Sequence, residues 1–225
     1  MSRGLGDVYK RQISRFESFV ANGGWTREGG RAIFAYPIEN LAGKTFGILG
    51  FGSIGSSVGN VAAALGMKVL YHSATRKKNL GRDFRYADLD TLFKRSDFLS
   101  LHCPLNEETR QIVNKRTLSL MKPRAVLINT ARGGLVDETA LAEALDSGRL
   151  AAALLDVVAE EPIKESNVLL CAKNCLITPH VAWAAAETRQ DVVYDAAVNV
   201  GAFYDGYPDN VVNGVPAREE YRKKI

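Results

Sequence analysis

An α/β fold, with a doubly wound parallel sheet of the Rossmann-like dinucleotide-binding type, is what this sequence predicts, and three observations predict it. From Lys44 onward, short apolar segments rich in Val, Ile and Leu alternate with segments of helical period. A glycine-rich turn, GFGSIG at 50–55, falls between the first apolar segment and the first helical one. Three later motifs carrying ionisable residues each follow an apolar segment closely. Alternating strands and helices imply an open sheet with right-handed crossovers.

The composition agrees. The 225 residues are 46% hydrophobic and 24% charged, near the averages for globular chains, which excludes a disordered tail, a collagen-like fibre and a small disulfide scaffold. No apolar run approaches the roughly 18 residues of a spanning helix, so no membrane partner is expected. The opening MSRGLGDVYKRQ has basic residues but no apolar core, so it does not read as a secretory signal. Three cysteines, Cys103, Cys171 and Cys175, read as reduced thiols of a cytoplasmic protein. Cys171 and Cys175 precede His180 but lack a second cysteine pair, so no metal site is expected. A net charge of +4 is too diffuse to predict nucleic-acid binding.

Residues 1–12 fit nothing that follows and read as a non-native extension. Residues 13–40 hold Phe16, Phe19, Trp25, Phe34 and Tyr36, broken by Gly23-Gly24 and Gly29-Gly30. They predict a helix end followed by an irregular apolar arm, a linker that needs a surface to bury against, on its own domain or on a second subunit. Residues 41–182 carry the dinucleotide-binding domain. Its apolar runs at 44–50, 67–72, 98–102, 125–130, 151–158 and 175–180 are apolar on both faces, as buried parallel strands are. Ile54, Val58, Val61, Ala62 and Leu65 recur at helical spacing. So do Leu141 and Leu145, with Asp137 as an N-cap candidate and Gly148 as a stop. Residues 183–225 complete the chain, with a helix over about 184–205 that sets Val192, Ala196, Val200 and Phe203 on one face.

The glycine turn has a specific chemistry. Gly50 permits the tight turn, Gly52 lets the backbone approach a pyrophosphate, and Gly55 lets helix and strand pack closely. The helix that follows offers free N–H groups and the positive end of its dipole to phosphates. The end of the second strand selects the nucleotide, because an acid there binds the ribose 2′-hydroxyl of NAD. Here Ser73 takes that place and Arg76, Lys77 and Lys78 follow. A missing carboxylate with added cations favours NADP over NAD, against the plainer alternative of a solvated basic loop.

The three ionisable motifs are NTARGGLVDE with Arg132, DVVAEEP with Asp156 and Glu161, and TPHVAW with His180. Ligands of open α/β sheets bind at the carboxyl ends of the strands, so these residues are expected at one crevice. Reducing a carbonyl group with a dinucleotide needs a hydride at the carbon and a proton at the oxygen. Histidine suits the proton transfer near neutral pH. A carboxylate beside it fixes the ring and favours imidazolium. Arginine offers a planar fork to a substrate carboxylate. Each residue also has a plain alternative: a surface ion-pair arginine, a solvated loop acid, a hydrogen-bonded core imidazole. Trp183 fits a pocket wall and a helix-start core residue equally well.

Over about residues 41–205 these motifs resemble the D-isomer-specific 2-hydroxyacid dehydrogenases, and YHS, LHCPL and TPHVAW resemble the glycerate dehydrogenase and hydroxypyruvate reductase branch. The resemblance implies an NAD(P)-dependent oxidoreductase acting on the CH-OH group of a small 2-keto or 2-hydroxy acid of the hydroxypyruvate or glyoxylate type. It implies that Arg132 grips the substrate, that Glu161 pairs with the catalytic histidine, and that His180 is the general acid/base. It matches Ser53 and Ile54 to backbone donors after the second glycine. Cys103, Pro104, Thr130, Ala131 and Asp156 match positions lining the nicotinamide and ribose side. It also implies a homodimer, and a second, flavodoxin-like substrate domain of which 183–225 would be a remnant. Roughly the first hundred residues of such a chain would be missing, as in an N-terminally truncated gene. Two alternatives stand beside the enzyme: a dinucleotide-binding scaffold of the corepressor kind, and an inactive nucleotide-binding fragment.

Overall fold

Strand β1 (Thr45–Leu49) sets the frame, because four of its five residues are buried. The computed structural model describes residues 16–34, 40–77 and 80–211; the expected extension at 1–12, Tyr36 and Lys78 lie outside them. Six further strands follow: β2 (Lys68–His72), β3 (Phe84–Tyr86), β4 (Phe98–Leu101), β5 (Val126–Asn129), β6 (Ala152–Leu155) and β7 (Cys175–Ile177). All pair in parallel, in the order β3-β2-β1-β4-β5-β6-β7. The order reverses between β1 and β4, which is where such sheets bind ligands.

Parallel strands bury both faces, and the alternation is read directly from the core. Leu99, Leu101, Leu127, Ala153 and Leu155 point into one apolar cluster. Phe46, Ile48, Phe98, Ile128 and Leu154 point into the other. Helix α2 (Ser53–Ala64) contributes Val58 and Ala62 to the second cluster. Helices α3 (Leu89–Arg95), α4 (Lys115–Leu120) and α5 (Glu138–Asp146) contribute to the first. Each of these three starts on a side-chain cap: Asp88, Asn114 and Asp137 accept backbone N–H groups of the first turn. Asp137 is the expected cap, and Gly148, at φ +71°, follows the end of α5.

Four expectations are corrected. Residues 16–21 are helical and are followed by α1 (Gly24–Glu28) and a 3-10 turn (Gly29–Phe34), so much of 13–40 is regular rather than irregular. The glycine pairs end helical turns there, with Gly23 at φ +72° and Gly29 at φ +53°. Strand β3 falls outside the apolar runs, because its three residues lie at the sheet edge and none is fully buried. Ile54, Val61 and Leu65 are exposed, and α2 instead buries Gly55, Val58, Gly59 and Ala62. Small residues let that helix lie close to β1: a Cβ on Gly59 would sit 3.1 Å from the Ile48 side chain. Finally, β7 is only partly buried along its length.

The chain divides into two compact units between His180 and Val181. The second contains α6 (Ala186–Tyr204), close to the expected helix, which has no buried residue. Among the described residues, no helix is long and apolar enough to cross a membrane.

Candidate active site

The glycine turn sits at the carboxyl end of β1, and each glycine answers a different demand. Gly50 has φ +95°, and a Cβ on it would lie 2.4 Å from the backbone nitrogen of Cys103. The turn therefore packs directly on the chain leaving β4, at the reversal of strand order. A Cβ on Gly55 would lie 2.1 Å from the carbonyl oxygen of Gly50, so the helix cannot start there with a larger residue. A Cβ on Gly52 would meet nothing within 4 Å. Protein packing does not require glycine at 52, and the open space over it suits the approach of a ligand to the backbone. Gly52 is also the N-cap of α2 without a capping side chain. The first N–H groups of the helix, at Ser53 and Ile54, lie at that end, where an anion is favoured.

Ser73 follows β2, and its hydroxyl donates to the carbonyl of Thr75 at 2.7 Å. The Arg76 guanidinium lies over the Tyr86 ring, 5.6 Å from its centroid. After β4, Cys103 is buried, which pushes its thiol pKa up, while Pro104 is exposed. A thiol held protonated in this way packs and does not react.

The turn after β5 is held by Asn129, a residue that no sequence motif singles out as a support. It is fully buried, accepts the Ala131 N–H at 3.0 Å, and donates to the Arg132 carbonyl at 2.8 Å. It thereby fixes Thr130, Ala131 and the backbone of Arg132. The Arg132 side chain is exposed, and its guanidinium donates to the Ala131 carbonyl at 2.6 Å. The next residue, Gly133, touches the segment after β6: a Cβ on it would lie 1.9 Å from the carbonyl carbon of Val158. Glu138 braces the same segment, accepting from the Ala159 N–H at 2.7 Å and the Asn167 amide at 2.9 Å. A glycine two positions before a hydrophobic residue, and a helix-start glutamate, carry no sequence signal of these long-range partners.

Glu161 is held at both oxygens. One accepts the Val158 N–H at 3.2 Å and the other lies 2.6 Å from His180 Nδ1. His180 follows β7 with φ +50°, an uncommon conformation for a residue with a side chain. Its own N–H donates to the Asp156 carbonyl at 2.9 Å. Asp156 is buried and accepts a hydrogen bond from the Thr178 hydroxyl. These residues line a cavity of about 660 Å³, whose apolar part includes Val158, Ile163 and Ile177. With Nδ1 taken by a carboxylate, Nε2 is the histidine nitrogen left for proton exchange. Arg132 does not line this cavity, although it stands at the end of the strand beside β6. Glu161 and His180 therefore meet, and Arg132 is a neighbour without contact to the pair.

Comparison with known proteins places these features in a family. Residues 8–182 match the family model described as the D-isomer specific 2-hydroxyacid dehydrogenase, NAD binding domain. A hydroxypyruvate reductase of Blautia hydrogenotrophica is 45% identical over 89% of this chain and 63% of its own length. A glycerate dehydrogenase of Methylorubrum extorquens is 43% identical over 93% of this chain and 65% of its own length. This chain thus spans just under two thirds of these curated relatives. Among solved structures, an acyclic imino acid reductase (Bsp5) in complex with NADPH and D-Arg is 34% identical, with a TM-score of 0.73 over 87% of this chain and 62% of that one.

Proposed function

The chain belongs to the D-isomer specific 2-hydroxyacid dehydrogenase family, and from that premise we propose that it serves the reduction of a small 2-keto acid, of the hydroxypyruvate or glyoxylate type, with a nicotinamide dinucleotide. The observation that carries the reading is the 2.6 Å contact between His180 Nδ1 and Glu161 at the sheet's carboxyl end. When bound, the reduced nicotinamide supplies a hydride to the substrate carbonyl carbon. Everything else is work for side chains and backbone.

In this reading the N–H groups at the start of α2 hold the pyrophosphate over Gly52. Thr130, Ala131, Cys103, Pro104 and Asp156 form the nicotinamide and ribose side. Arg132 exchanges its bond to the Ala131 carbonyl for the substrate carboxylate, which its planar fork matches. His180 gives its Nε2 proton to the carbonyl oxygen as the hydride arrives, and in the reverse direction it takes that proton back. Glu161 keeps the ring oriented and balances the charge on imidazolium.

The cofactor preferred in this reading is NADPH. Ser73 leaves the β2 end without a carboxylate, and Arg76 brings a cation close to it. The reading also includes a homodimer that uses 13–40. Trp25, 62% exposed, supports that part, and the mass of the chain in solution tests it. The direct test of function is oxidation of NADPH by the 225-residue chain with hydroxypyruvate and with glyoxylate. Turnover that needs the keto acid is expected. Absence of turnover together with absence of nucleotide binding contradicts the reading.

A further inference from the structure

A second cavity, of about 400 Å³, opens at the other edge of the sheet, over the starts of β1, β2 and β3. Thr45, Val69 and Leu70 line it, the last two buried. Its walls carry Lys68, Arg82, Arg85 and Arg95, with Asp83 as the one acid. These cations come from four places: β2, the turn before β3, β3 itself and the last turn of α3. Other cations of this unit have found carboxylates. Arg116 pairs with Asp90, Lys122 with Asp97 and Lys164 with Glu160. Asp97, two residues after Arg95, is thereby engaged, and it also accepts the N–H of the lining residue Thr45. Among the described residues, none of the four cavity cations makes an ion pair.

Four like charges around one small concavity repel each other, and among the described lining residues only Asp83 offsets them. Three are arginines, whose forked donors fit the oxygens of a tetrahedral anion better than an ammonium does. The size is that of a small-molecule site. We infer that this cavity is a second ligand site, separate from the dinucleotide turn, that binds a phosphate group, carried by a small phosphomonoester or as free phosphate. The inference does not depend on the proposed reaction, because it rests on the opposite ends of the strands.

Titration calorimetry of the 225-residue chain tests it, with inorganic phosphate and glycerol 2-phosphate as probes against chloride at equal ionic strength. Saturable binding of a phosphate probe is expected. Arg85→Ser and Arg95→Ser, made separately, should each weaken it at least tenfold, with Arg85→Lys less affected. Phosphate bound at the dinucleotide turn persists in these variants, and their nucleotide affinity should stay at the parent value, which also reports that they are folded. Tighter binding of glycerol 2-phosphate identifies a phosphomonoester site, and tighter binding of inorganic phosphate a free-phosphate site. No saturable binding, or an unchanged phosphate affinity in both serine variants, overturns the inference.

Discussion

His180 is constrained three ways. Its backbone N–H is bound to Asp156, its φ is positive, and its Nδ1 is bound to Glu161. A histidine with so little freedom presents one nitrogen in one direction, which is what positioned proton transfer needs. His180→Ala should lower turnover with hydroxypyruvate about a hundredfold or more, while nucleotide affinity stays within a few fold. Equal loss of nucleotide binding would point to a folding defect instead. At the β2 end, Ser73→Asp should invert the cofactor preference, since a carboxylate would oppose a 2′-phosphate and accept a 2′-hydroxyl. Dissociation constants for NADPH and NADH in parent and variant check this. Glu161 and His180 are legible in the sequence because each sits in a motif that follows an apolar run. Asn129 is not legible as a support, because its partners are backbone groups of a turn whose shape the sequence does not state.

At the scale of elements, the site depends on two close approaches that only glycine permits. Gly50 packs on the peptide between His102 and Cys103, and Gly133 packs on Val158. The second approach ties the Arg132 turn to the segment that carries Glu161. Gly133→Ala should therefore push that segment away and impair turnover more than nucleotide binding, whose pyrophosphate hold is at the distant glycine turn. Kinetics and nucleotide titration on the same preparation check the split. A stability loss of about 1–3 kcal/mol is expected as well, as for other overpacked positions. The long buried strands are readily legible in the sequence, because a strand covered on both faces needs an unbroken apolar run. Strand β3 is hidden, being a three-residue edge strand with no fully buried residue. The packing face of α2 is hidden too, because it is made of small residues rather than large ones.

In the first unit, His102 is half-buried beside the glycine turn and contacts the Ser100 hydroxyl at 2.8 Å. Burial pushes its pKa down to about 4. Between that value and the ordinary one near 6.5, the unfolded chain holds a proton that the folded chain does not. Stability is therefore full above about pH 6.5 and falls as the pH drops toward 4. The loss from this group approaches about 3 kcal/mol. Denaturant unfolding of the parent and of His102→Gln at several pH values should show the slope in the parent and a shallower one in the variant. Equal slopes would assign the acid sensitivity to other groups.

Proton and hydride transfer are proposed at the carboxyl ends of the strands, and anion binding at the amino ends. The steady-state rate of NADPH oxidation with hydroxypyruvate, measured side by side for the parent chain and His180→Ala, decides the first. Keto-acid-dependent oxidation by the parent and a loss of about a hundredfold or more in the variant are expected. Equal rates in the two proteins would contradict that proposal.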